Sequence, residues 1–168
     1  GLFDTQEEPG DIIITPTRPN GWDDGGTYRR MHQHQWDNQQ WQPWNCYITP
    51  LGAINTVNRV KAQLDEDALP VGDLKEPMIA ELRALRALWY SMLLDTHGNV
   101  PIVDTWTDEL PKQATRQEVY NFVVKELTEA LPNLSDANDG TTYGRMNKWA
   151  ALACLTRVYL NAEVYTGT

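Results

Sequence analysis

The stretch EPMIAELRALRALWYSMLLDTHG, beginning at Glu76, constrains the chain most. Met78, Leu82, Leu85, Trp89 and Met92 recur at steps of four, three, four and three, the period of one face of an α-helix. Gly98 ends it, and Pro101 in NVPIVDTW forbids helix just beyond. A second helix opens at TRQE, where Thr115 and Glu118 have the spacing of a capping box, and runs through Val119, Phe122, Val123, Leu127, Ala130 and Leu131 to Pro132. A third, NKWAALACLTRVYLNAEVY, is predicted to turn Trp149, Leu152, Leu155 and Tyr159 inward. Upstream, LGAINTVNRVKAQL places Leu51, Ile54, Val57 and Leu64 on one side, and Pro50 is expected to kink or end any helix before it. The expectation is an all-α chain of about four helices in hairpins over residues 44–168.

Residues 1–43 are different. Pro9, Pro16, Pro19 and Pro43, with Gly10, Gly21, Gly25 and Gly26, break any period, and only DIIITP suggests an extended piece. A long irregular N-terminal segment is therefore predicted. Irregular stretches beyond about 12–15 residues tend to be functional or incomplete.

Composition narrows the function. With 168 residues the chain is long enough for one domain with a real core. Its net charge of −9 repels nucleic acid and anionic membrane surfaces, so neither is an expected partner. No apolar run approaches a membrane span, and GLFDTQEEPG has neither the basic nor the apolar region of a signal peptide. Cys46 and Cys154 could be bridged, but no framework of short spacings supports it, and Cys154 sits in a helical apolar run that suits a buried thiol.

Catalytic and metal signatures are weak. His32 and His34 lack a third ligand at a telling spacing. DANDG at 136–140 has its glycine one place early for a calcium loop and no glutamate at the closing position. Asn133-Leu-Ser135 is a formal sequon of a kind common by chance. Glu81, Arg83 and Arg86 read as a solvated or interhelical ion-pair face. No phosphate loop, nucleophile elbow or cysteine–histidine pair is present, so no enzyme and no cofactor is expected.

The aromatic residues carry the remaining signal. The chain has 7 Trp and 7 Tyr against 2 Phe, a bias towards rings with a polar handle. HQHQWDNQQWQPWNCY sets Trp36, Trp41, Trp44 and Tyr47 among amides. Pro43 suits a first helical turn, which puts Trp44, Tyr47 and Ile48 on an inner face. Trp36 and Trp41 precede that start beside Asp37 and Asn38. Tryptophans set among amides and carboxylates suit a sugar, whose C–H face packs on the ring while polar neighbours take its hydroxyls. Trp22 with Asp24 and Arg29 forms a second cluster of this kind. The alternative for every ring is a place in the core.

Three blocks in the helical part resemble the SusD/RagB family. AELRALRALWYSMLLDTHGNVPIV is similar to its "AEarfLRAyyyf.l...fGdvPlv" stretch, TRQEVYNFVVKELTEALPNL to the block that follows, and YGRMNKWAALACLTRVYLNAEVY to the third. WNCYITPLGAINTVNRV resembles a weaker upstream block, so the likeness covers about residues 41–166. Glu81, Arg86, Gly98, Pro101, Arg145 and Leu160 match as structural positions, whereas Trp149 stands where the family tends to have a small residue.

The resemblance implies a tetratricopeptide-like scaffold, lipid-anchored on the outer face of the outer membrane, that binds oligosaccharides without catalysis. It implies delivery to a TonB-dependent transporter of the SusC type. Peptide capture by the same fold, or a helical-repeat adaptor binding only protein, are the alternatives. Family members are much longer, so the lipidated cysteine and a large C-terminal part are expected outside this sequence, with exposed apolar patches where that part would pack. Trp36 and Trp41 fall in the variable loop and are the better ligand candidates; Trp44 and Tyr47 fall on the helical block and are expected in the core.

Overall fold

The computed structural model describes residues 2–18, 20 and 23–167. The described residues form helices α1 (Leu2–Glu7), α2 (Thr27–His32), α3 (Trp41–Asp65), α4 (Lys75–Thr96), α5 (Arg116–Ala130), α6 (Lys148–Leu160) and α7 (Ala162–Thr166), with no strand among them. The architecture is all-α, as the periodicity predicts. Two compact units are distinguishable, Gly1–Thr49 and Pro50–Thr168.

In the second unit the main packing is between α4 and α5. Ala80, Ala84 and Ala87 of α4 are fully buried with Tyr90 and Leu94, and α5 supplies Val119, Val123, Leu127 and Ala130. Small residues on α4 let the two backbones approach. The core face of α4 is thus rotated from the expected stripe: Met78, Leu82, Leu85, Trp89 and Met92 are only half-buried. Tyr90 also holds the extended segment after the helix, its hydroxyl accepting from the Val103 amide at 2.7 Å and donating to the Pro101 carbonyl at 3.2 Å. Gly98 has φ 72°, and a Cβ there would press on the Arg116 side chain at 3.2 Å, so glycine suits the end of α4 on both counts. Thr115 and Glu118 form the full capping box at the start of α5.

The ion-pair face of α4 is interhelical. Arg83 and Arg86 both reach Glu126 of α5, and Arg86 further donates to Asn58 Oδ1 of α3 at 2.7 Å and to the Asp104 carbonyl at 2.5 Å. Glu81 pairs with Arg145 at 2.5 Å in the loop before α6. One buried side chain therefore ties α3, α4, α5 and the 101–106 segment together.

α1 and α2 lie in the segment expected to be irregular, and α3 and α6 also depart from expectation. Pro50 lies inside α3 and is buried; it cannot donate to the Cys46 carbonyl, but the helix continues for 25 residues in all. In α6 the inward residues are Ala151, Cys154, Leu155 and Val158, whereas Trp149 (54% exposed), Leu152, Tyr159 and Leu160 (80%) face out. Of the four residues expected inward only Leu155 is buried. The helix is apolar on both faces, so pattern could not say which one the neighbouring helices cover. Trp149 is tethered at the surface by its indole N–H, which donates to the Asp136 carbonyl at 2.8 Å.

Both cysteines are free and buried; Cys154 donates to Ser91 Oγ at 3.7 Å, and burial raises its thiol pKa. Among the described residues no helix is long and apolar enough to cross a membrane. DIIITP forms no strand, and Ile12 and Ile14 are exposed.

Candidate functional site

The candidate site lies wholly within the first unit and is built on a two-glycine turn. Gly25 and Gly26 have φ of 64° and 76°, which glycine adopts without steric cost, and they turn the chain into α2. Asp24 fixes that turn: Oδ1 accepts from the Gly26 amide at 3.0 Å and the Thr17 hydroxyl at 2.7 Å, and Oδ2 accepts from the Tyr28 amide at 2.9 Å. These bonds, the Tyr28 amide first, hold its pKa below the ordinary 3.8. The Asp24 carboxylate is thus already engaged by its own chain.

A set of buried polar groups then bolts α2 to the start of α3. Gln40 Nε2 donates to the Thr27 carbonyl at 3.1 Å and to Gln42 Oε1 at 3.2 Å, while its Oε1 accepts from Arg30 Nε at 3.1 Å. Gln40 and Gln42 are 4% and 0% exposed. Because amides with partners take the inner side, the rings beside them turn outward. Trp41 is 41% exposed and packs edge-on against Tyr28, centroids 6.1 Å apart with planes at 79°. Trp44 and Ile48 follow it at helical spacing, 54% and 42% exposed.

This corrects the expectation for Trp44 and Ile48, which lie at the surface and not in the core. Cys46, whose Sγ lies 3.1 Å from Thr5 Oγ1, occupies the inner face instead, and Tyr47 is half-buried. Polar residues took the core here: Gln40 is bonded through both amide atoms and Gln42 Oε1 accepts from it, an outcome hydrophobic patterning does not register. Trp44 stands three residues beyond Trp41, so its place on the same face was readable once α3 is known to begin at Trp41.

Trp36 is 45% exposed in the preceding loop, its ring 5.6 Å from that of His34. His34 is held through Nε2 against the Pro9 carbonyl at 2.9 Å. Asp37 accepts from the Gln39 amide at 2.9 Å and Asn38 from Gln39 Nε2 at 3.2 Å, so both exposed side chains shape this turn. Trp36 and Trp41 have separate ring partners. Trp22 lies outside the described residues.

Beside Tyr28 is a cavity of about 360 Å³ bordered by Glu8, Thr15, Thr17, Tyr28, Arg29 and His32, with Ile14 and Pro16 as apolar wall. Tyr28 thus faces both the cavity and Trp41. Burial, then the charges of Asp4, Glu8 and Asp24, raise the phenol pKa. Among the described residues no ion pair engages Arg29. No group of three or more potential metal-ligating residues assembles among the described residues. The arrangement offers an exposed aromatic strip, a lined cavity beside it, and donors and acceptors of both charges. That chemistry suits a neutral polyhydroxylated ligand.

Comparison with known proteins agrees with the sequence resemblance. The chain is 36% identical over 88 residues to the starch-binding protein SusD of Bacteroides thetaiotaomicron, a match covering 52% of this chain and 16% of that one. The fold is similar to surface glycan-binding protein A from Bacteroides uniformis, with a TM-score of 0.80 at 19% identity, covering 98% of this chain and 37% of that one. It is also similar to a laminarin-binding SusD-like protein, with a TM-score of 0.77 at 22% identity, covering 97% and 38%. The chain therefore spans a minor part of the length of these relatives. A family model described as starch-binding associating with outer membrane matches residues 14–160, and the chain belongs to this SusD-like family.

Proposed function

We propose that the protein binds oligosaccharide at the cell surface and delivers it, unmodified, to a TonB-dependent outer-membrane transporter of the SusC type. The observation that carries this reading is the placement of Trp41 and Trp44 on the outer face of α3, with Tyr28 between Trp41 and a cavity that combines an apolar wall with charged and hydroxyl groups. Exposed indoles that are not needed for the core are suited to stack on pyranose rings. The relatives' own names, starch-binding, laminarin-binding and surface glycan-binding, support a glycan as ligand class.

Trp36 with Asp37 and Asn38 supplies a second polar–aromatic surface in the preceding loop, and Trp22 remains a candidate on sequence grounds. Arg29 is the free cationic donor of the set, and Asp24 acts as its scaffold by fixing α2. Membrane attachment through an N-terminal lipid anchor and exposure on the outer face follow the same family reading. A glycan array on the protein at its relatives' length tests ligand class, with binding to polysaccharide fragments expected and binding to none of them contradicting the reading. Co-purification with a TonB-dependent transporter tests the partner; recovery without one contradicts it.

A further inference from the structure

Among the groups that border the cavity, folding leaves one carboxylate incomplete. Glu8 is fully buried, its Oε1 accepts the Thr15 hydroxyl proton, and among the described residues its Oε2 has no hydrogen-bond partner. A buried carboxylate oxygen without a donor is costly, and native structures satisfy such atoms with water or with a ligand. Glu8 borders the cavity together with Arg29, whose guanidinium is not paired with a described acid. One uncommitted acceptor and one uncommitted donor, of opposite charge, therefore share a space of about 360 Å³.

That pairing discriminates among ligands. A cation would be repelled by Arg29 and an anion by Glu8. A neutral ring carrying several hydroxyls can donate to one and accept from the other, while Ile14 and Pro16 take its apolar edge. The volume lies near the lower end of small-ligand pockets, about 300–1,000 Å³, which suits a single sugar ring and not a chain. Beyond Tyr28 the exposed Trp41 can then stack on the next ring.

We propose that this cavity is a subsite for one sugar ring, in which Glu8 accepts from a ring hydroxyl and Arg29 donates to another. The inference rests on the glycan-binding reading and deepens it by naming the polar contacts.

The test uses the protein at its relatives' length and a glycan that the array shows it to bind. Isothermal titration compares the parent with Glu8→Gln and Arg29→Met, each also melted without ligand. The subsite requires both variants to bind at least about tenfold more weakly, because Glu8→Gln replaces the charged acceptor by a neutral amide and Arg29→Met removes the charged donor, with ligand-free melting retained in Arg29→Met. Parental affinity in a folded Glu8→Gln would mean that Oε2 holds only a water, and would overturn the subsite alone. Should Glu8→Gln fail to fold, Arg29→Met decides, and parental affinity there overturns the proposal. A parent that binds no glycan at all removes the functional reading and this inference with it.

Discussion

The Arg86 guanidinium donates from both Nε and Nη2 to one oxygen of Glu126, at 2.8 and 2.5 Å, with each side chain about 95% or more removed from solvent. Glu126 Oε1 is taken by Arg83, and Phe122 lies 5.6 Å from Arg86 Cζ. Such a pair is not expected to outperform a well-packed apolar substitute, but removing one partner strands a buried charge. Glu126→Gln or Arg86→Met is therefore expected to destabilise the chain by about 3–5 kcal/mol. Urea unfolding followed by circular dichroism measures it. A loss below about 1 kcal/mol would mean the network contributes no specific support to the helices.

Trp44 offers a sharper check on the placement of α3. A core tryptophan cut to alanine costs about 3–5 kcal/mol, whereas a surface substitution away from such features stays within about 0.5 kcal/mol. At 54% exposure Trp44→Ala is expected near the surface limit, below about 1 kcal/mol. The contrasting variant is Met31→Ala, at 1% exposure in the same unit, expected to cost about 2–5 kcal/mol. Equal losses in the two would return Trp44 to the core.

Asp24 gives a pH dependence with a definite sign. Its folded pKa lies below the ordinary 3.8, because the charged form accepts the Tyr28 and Gly26 amides and the Thr17 hydroxyl. Stability from these bonds is present above the unfolded-state pKa and is lost as pH falls through the folded one. The Tyr28 amide resonance is expected to titrate with a midpoint below 3.8, and Asp24→Asn to abolish that step. A midpoint at or above the ordinary carboxylate value would remove Asp24 as the anchor of the α2 turn.

The outer face of α6 predicts surface behaviour. Trp149, Leu152, Tyr159 and Leu160 are exposed on a helix whose other face is already buried. Contiguous apolar exposure of this kind binds hydrophobic dyes and favours association. In the 168-residue chain, Leu160→Gln is expected to lower dye binding and to change stability by no more than about 0.5 kcal/mol. A large loss of stability would show that Leu160 is buried in solution.

Helix existence was legible in the sequence because period, caps and breakers agree. Gly98 ends α4, Thr115 and Glu118 cap α5, and Pro132 closes that segment, each for local backbone reasons. The facing of helices was less legible. In α4 the alanines are on the buried face and in α6 both faces are apolar, so which stripe is covered depends on neighbours that a single window does not contain. At the candidate site Trp36, Trp41, Asp37, Asn38 and Arg29 could be singled out as rings and polar groups outside a repeating pattern. Glu8 could not, because its burial and its open oxygen arise from the fold of the DIIITP segment around it. Trp44 lies outside because Gln40 and Gln42, joined by a hydrogen bond, hold the interior position expected for the aromatic residue.

The most direct test titrates a glycan identified by the array into the protein at its relatives' length, with and without Trp41→Ala, by isothermal calorimetry. The parent is expected to bind saturably, and Trp41→Ala to lose about 1–3 kcal/mol of binding free energy, the scale of a buried aromatic contact, with its melting temperature little changed. Parental affinity in Trp41→Ala, with the fold intact, would contradict the placement of the carbohydrate site on this face of α3.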